Sequence, residues 1–219
     1  MNVMNTGTYK KTVLGLTALT VLSACTEGPV FDLLQKGATT PLIKAQMVEG
    51  AVTLVPPSGY CIDSSSLTQT FALMARCDLL DAENGALDAP IGLLTASFAK
   101  NNGQTLSAAD VALSSNAIVI ETIDTGGLEI VRAKTDTPPS GLSKTHYRAA
   151  TQIDGFDLSL ALFSPPESEA QGARGTEMLR NVIKTSQDAS IATDVAANTA
   201  SNTSDTKKGF RTTFSGLFE

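Results

Sequence analysis

Two runs of alternating apolar and polar residues, 146–153 and 156–163, are separated only by Asp154-Gly155. A two-residue connection between extended runs requires positive φ at both central positions, and Asp-Gly tolerates it better than almost any other pair. The two runs must therefore be antiparallel neighbours with a fixed register. A second pair of β-patterned runs, 117–123 and 128–133, is joined by Asp124-Thr125-Gly126-Gly127 and reads as a second hairpin. Two such hairpins commit the middle of the chain to an antiparallel sheet, whose apolar face needs a cover.

The flanking sequence supplies strands and helices for that sheet. Residues 51–55 alternate and are β-branched, Pro56-Pro57-Ser58-Gly59 ends them, and 60–63 resumes extended structure. Ser64, Ser65 and Ser66 are candidate caps for a helix over 67–75, because Leu67, Phe71 and Met74 fall at helical spacing. A buried strand is expected over 91–98, and Ser107 is placed to cap a short helix over 108–113. Pro165-Pro166 stops the last strand, and Met178, Leu179, Val182 and Ile183 give an amphipathic helix over 175–185. The fold class is α+β: an antiparallel sheet built from hairpins and covered by helices, with a disordered carboxyl-terminal tail. This order, closing in a helix that ends at Ile183-Lys184-Thr185-Ser186, resembles the architecture of PsbP and Mog1-like domains. The likeness is architectural and implies no function.

The amino terminus carries a different signal. Lys10 and Lys11 precede an uncharged, largely apolar stretch over 12–22, and Leu22-Ser23-Ala24-Cys25 follows. The stretch is shorter than the ~20 apolar residues a membrane-spanning helix needs, and its flanks fit a secretory signal. Leu, two small residues and Cys resemble the lipobox of bacterial lipoproteins. That resemblance, confined to residues 1–25, implies lipid attachment to the Cys25 sulfur, cleavage after Ala24 and membrane anchoring. Thr26 stands where Asp would signal inner-membrane retention in enterobacteria, so the outer membrane is the expected destination. With Cys25 carrying lipid, Cys61 and Cys77 remain as an even pair in an oxidising compartment, and a structural disulfide is expected. Their spacing is not the C-x₂-C of a redox or zinc site.

Composition excludes some functions. The chain has 16 basic and 22 acidic residues, a net charge of −6. Cleavage after Ala24 removes Lys10 and Lys11 and no acid, so the mature chain is at 14 − 22 = −8. Without a basic stripe it has no means of neutralising phosphates, and nucleic acid is not an expected partner. There is no Trp to build an aromatic ligand groove.

Five segments are expected: a signal peptide (1–24), a lipidated tether (25–46) with a short helix near 30–35, an α+β domain (47–186), a disordered linker (187–208) and a hydrophobic terminal peptide (209–219). The linker is Ala, Ser, Thr, Asn and Asp, too polar to offset the entropy of ordering. In the last segment Phe210, Phe214, Leu217 and Phe218 fall on one helical face and are the candidate partner-binding residues, facing an envelope protein. The only histidine, His146, would have to serve any Ser-His-Asp triad, with Ser58, Ser64, Ser65, Ser66 and Ser143 as candidate nucleophiles by type alone. No Gly-x-Ser-x-Gly elbow is present. Asp78, Asp81, Glu83 and Asp88 cluster around Asn84-Gly85 without calcium-loop spacing, and Gly172-Ala173-Arg174-Gly175 lacks the lysine of a phosphate loop. No catalytic residue, metal or cofactor is expected. The expected function is that of a lipid-anchored envelope protein with a non-catalytic binding or assembly role. The rivals are an envelope hydrolase and a lipid or small-molecule carrier with an apolar cavity between sheet and helices.

Overall fold

The computed structural model describes residues 40–80 and 88–205, with side chains described as far as 192. Cys25, the signal segment and Phe210, Phe214, Leu217 and Phe218 lie outside the described residues.

The centre of the fold is a seven-stranded sheet. Its strands are β3 (Tyr60–Ile62), β4 (Phe71–Arg76), β5 (Leu93–Lys100), β6 (Ile118–Asp124), β7 (Glu129–Lys134), β8 (Thr145–Ile153) and β9 (Phe156–Phe163). Their order is β3-β4-β5-β9-β8-β7-β6, and every neighbouring pair is antiparallel. The Asp-Gly hairpin sits at the middle of this order. Asp154 has φ 49° and Gly155 φ 79°, the double positive that a two-residue connection requires. In the other hairpin the Asp124 carboxylate accepts from the Gly127 amide at 2.9 Å, closing the turn. A second, two-stranded sheet pairs β1 (Ala45–Met47) with β2 (Val52–Leu54).

Among the described residues, three α-helices complete the domain: α1 (Cys77–Leu80), α2 (Ala108–Ser114) and α3 (Ala173–Asp205). Helix α3 and the β1–β2 sheet cover one face. There Leu94, Leu158, Leu160, Leu162 and Ile130 from the large sheet meet Val52 and Leu54, and Leu179, Val182 and Ile183 from α3. Helix α2 covers part of the other face through Ala108, Val111 and Ala112 over Val131, Ala133 and Ala150. The period-2 alternation of β8 and β9 divides these two cores. The first turn of α3 packs so closely on the preceding turn that a Cβ on Gly175 would lie 2.1 Å from the Ala170 carbonyl oxygen.

Three expectations need correction. The segment 67–75 is not a helix, because its second half is β4, paired on both sides by β3 and β5. Ser65 and Ser66 brace a turn around Asp63 instead: Ser65 donates twice to the Asp63 carboxylate, and Ser66 Oγ accepts from the Leu73 amide at 3.3 Å. The folded domain begins before residue 47, since Leu42 bridges to Ile62 and β1 starts at Ala45. The helix expected over 175–185 is longer than its apolar pattern suggests, because α3 runs from Ala173 to Asp205. Its serines explain part of that. Ser186 and Ser190, one helical turn apart and both buried, accept from the backbone N–H groups of Val55 and Thr53, each at 3.0 Å. The helix thereby closes the free edge of β2.

Candidate binding surface

Helix α2 and strand β6 form one corner of the sheet, and local chemistry fixes their junction. Ser107 Oγ accepts from the Asp110 amide at 3.0 Å, the expected N-cap. At the other end Asn116 takes φ 56°, its amide reaches the Leu113 carbonyl at 3.0 Å, and the Ala117 amide reaches Ala112 at 3.0 Å. Those two bonds are the Schellman pattern, with Asn in the left-handed position. The chain therefore passes from α2 into β6 with Ala112 and Ala117 buried, while Leu113 is left 61% exposed. Strand β6 continues the exposure, with Ile118 at 67% and Ile120 at 53%.

Three branched aliphatic side chains at one corner gain weight from how the other edges are treated. The edge of β3 is closed by Leu42, which exchanges backbone bonds with Ile62 at 2.7 and 3.0 Å. The edge of β2 is closed by Ser186 and Ser190. The outer edge of β6 has no backbone partner among the described residues. It is blunted by a bulge between Val119 and Glu121, with Ile120 as the extra residue, and by the exposed Glu121 and Asp124. An open edge with exposed β-branched residues is a template for another strand.

His146 sits away from this corner and is committed to the interior. Its side chain is 1% exposed, stacks on Phe163 with ring centroids 4.3 Å apart, and accepts at Nε2 from Arg148 Nε at 3.0 Å. Burial, aided by the Arg148 charge and opposed by the Lys144 backbone, pushes its pKa down to about 4. The imidazole is therefore neutral at ordinary pH, with Nε2 occupied. Four of the five candidate nucleophiles are engaged elsewhere: Ser64 Oγ donates to Thr40, Ser65 and Ser66 bond Asp63, and Ser143 Oγ contacts Thr145 Oγ1, while Ser58 lines an open cleft with Arg174 and Asn181. The structure brings none of these hydroxyls to the imidazole.

The remaining candidates fall into structural roles. Cys61 and Cys77 form a disulfide, which ties β3 to the start of α1 beside the Cys61–Ala75 register pair. Asp78, from the acidic cluster, is held by Arg76, whose guanidinium keeps the carboxyl below its usual range. Two open clefts flank Asp88, Ala89 and Pro90. One, of about 290 Å³, lies against Arg174, Glu177 and Asn181; the other, of about 420 Å³, lies against Arg76, Glu167 and Glu169. Both adjoin the segment 81–87, outside the described residues. Between sheet and α3, where a carrier would need its cavity, the space holds Leu158, Leu160, Leu162, Leu179 and Val182.

Sequence reasoning missed the corner. It identified β6 and the cap of α2, but no local signal says that β6 ends the sheet and leaves Ile118 and Ile120 uncovered.

No family model matches the chain, and no curated protein matches it in sequence. Among solved structures it is similar to a cyanobacterial PsbP (CyanoP) from Synechocystis sp. PCC 6803, with 12% identity and a TM-score of 0.38, over 69% of this chain and 94% of that one. A Bacteroides thetaiotaomicron protein is similar with 14% identity and a TM-score of 0.38, over 61% of this chain. This chain spans 45% of that protein's length. Neither likeness carries a function to this chain.

Proposed function

We propose that this is a lipid-anchored cell-envelope protein whose domain binds or assembles without catalysis, and that the β6 corner is its working surface. One observation carries the reading: the β6 edge, with Leu113, Ile118 and Ile120 exposed, is left open while Leu42, Ser186 and Ser190 close other edges. The only imidazole is enclosed and neutral, which favours a binder over a hydrolase built around it. The Cys61–Cys77 bond favours an oxidising compartment. Residues 22–25 supply the anchor, since two or more acyl chains hold a protein stably where one does not. Phe210, Phe214, Leu217 and Phe218 are a second candidate contact for an envelope protein.

The test combines anchor and edge. Cys25→Ser should abolish lipid attachment, read as loss of incorporated acyl label, and Ile118→Lys with Ile120→Lys should strip cross-linked partners from the anchored protein without unfolding it. Undiminished acyl labelling of Cys25→Ser overturns the anchor. Unchanged partners in the lysine variant overturn the working surface.

A further inference from the structure

We propose that Asn102 is a site of spontaneous, backbone-assisted deamidation, and that the Asn101 side chain sets its rate. The inference is independent of the working surface.

The site lies in the loop that carries the chain from β5 to the Ser107 cap of α2. Asn102 and Gly103 are both exposed, and Gly103 takes φ 86° with no atom within 4 Å of where a Cβ would stand. With no side chain of its own, glycine leaves its amide nitrogen open to the carbonyl of the preceding asparagine.

The reaction balances with water alone. The Gly103 nitrogen gives its proton to solvent and bonds to Asn102 Cγ. The Cγ–Nδ2 bond then breaks, and the amine leaves with a solvent proton as ammonia. Water opens the resulting cyclic imide: attack at Cγ gives aspartate, and attack at the backbone carbonyl gives isoaspartate, with the chain rerouted through the side chain. The electrophile is already prepared. The Gln104 amide donates to Asn102 Oδ1 at 3.2 Å, where negative charge develops as the nitrogen adds. The nucleophile is not. The Gly103 amide donates to Asn101 Oδ1 at 2.7 Å, and it must let go before its nitrogen can turn onto Cγ. Asn101 is itself fixed from three sides. Its Nδ2 donates to Asp157 Oδ1 at 2.6 Å and to the Gln104 carbonyl at 2.9 Å, and its backbone amide donates to the Gly155 carbonyl at 3.0 Å. Of two adjacent asparagines, one is the substrate and the other the guard.

Conversion reaches beyond one residue. The Gln104 carbonyl also accepts from Gln152 Nε2 at 3.2 Å, so the loop ties β5, β8 and β9 together ahead of α2. Isoaspartate at 102 lengthens the backbone, adds a charge and breaks the side-chain bonds that shape this tie.

Peptide mapping of the full chain, aged at neutral pH under native conditions, tests the proposal. Trypsin leaves Asn102 in 101–132 and the other Asn-Gly pair, Asn84-Gly85, in 77–100, so the two are read separately. Wild type should accumulate aspartate and isoaspartate at 102, more slowly than a synthetic peptide of residues 99–106. Asn101→Ala should raise the rate about fivefold, the change in open population when one hydrogen bond of ordinary net strength is lost. Asp157→Ala, which removes one brace on Asn101 and leaves its contact with Gly103, should raise it by less and stands in if Asn101→Ala does not fold. Melting temperatures confirm that each variant is aged while folded. No conversion at 102 in wild type or either variant overturns the site. Conversion in wild type at the peptide's rate, or a rate unchanged in both variants, overturns the guard.

Discussion

Ser186→Ala removes the acceptor for the Val55 amide, and its effect can be worked from the geometry. The hydroxyl is wholly buried and the bond is 3.0 Å. Leaving a buried amide without an acceptor costs about 1–3 kcal/mol, and the half-buried position of Val55 puts this one near the lower end. Ala is the better helix former and returns about 0.5 kcal/mol. The net loss is about 1 kcal/mol. Ser190→Ala also removes the acceptor at 3.0 Å for the Thr53 amide, and the pair of substitutions should lose about 2 kcal/mol. For a domain of this size that is a fall of about 4–8 °C in Tm. In urea the midpoint should drop with the slope unchanged, since the fold itself is retained. Thr185→Ala, on the exposed side of the same turn, is the control and should be neutral or slightly stabilising. A double variant as stable as wild type would show that α3 does not hold the β2 edge through these hydroxyls.

Three further outcomes follow from the same geometry. Cys61→Ala with Cys77→Ala should lose about 3 kcal/mol for a loop closed over a separation of 16, and reduction of wild type should lose a similar amount, both read by urea unfolding. His146, neutral when folded with a pKa near 4 and about 6.5 when unfolded, binds its proton mainly in the unfolded state between those values. Its contribution is therefore complete above pH 6.5 and falls away toward pH 4 by up to about 3 kcal/mol; unfolding measured across that window should be less pH-dependent in His146→Leu. Gly175→Ala places a Cβ against the Ala170 carbonyl and should destabilise by about 3 kcal/mol, visible as a lower melting temperature.

The sheet was legible where local chemistry and tertiary structure agree. Asp154-Gly155 and 124–127 fix their turns whatever surrounds them, so β6 to β9 could be placed from sequence. Strand β4 could not. Phe71-Ala72-Leu73-Met74-Ala75-Arg76 is made of good helix formers, and only pairing with β3 and β5 holds it extended. The reach of α3 was hidden for the opposite reason. Beyond Ile183 it carries few large apolar residues, and Ser186 and Ser190 bond a strand edge that lies 131 and 137 positions away in sequence. The working surface was least legible of all, because exposure of Ile118 and Ile120 depends on β6 ending the sheet, a property of strand order alone.

The most direct test places a photo-cross-linking residue at position 118 of the full chain in intact cells, with position 97, exposed on the opposite half of the sheet, as the control. The expected result is a partner adduct from 118 and none from 97. Adducts from 97 with none from 118 would contradict the assignment of the β6 corner as the surface through which this protein works.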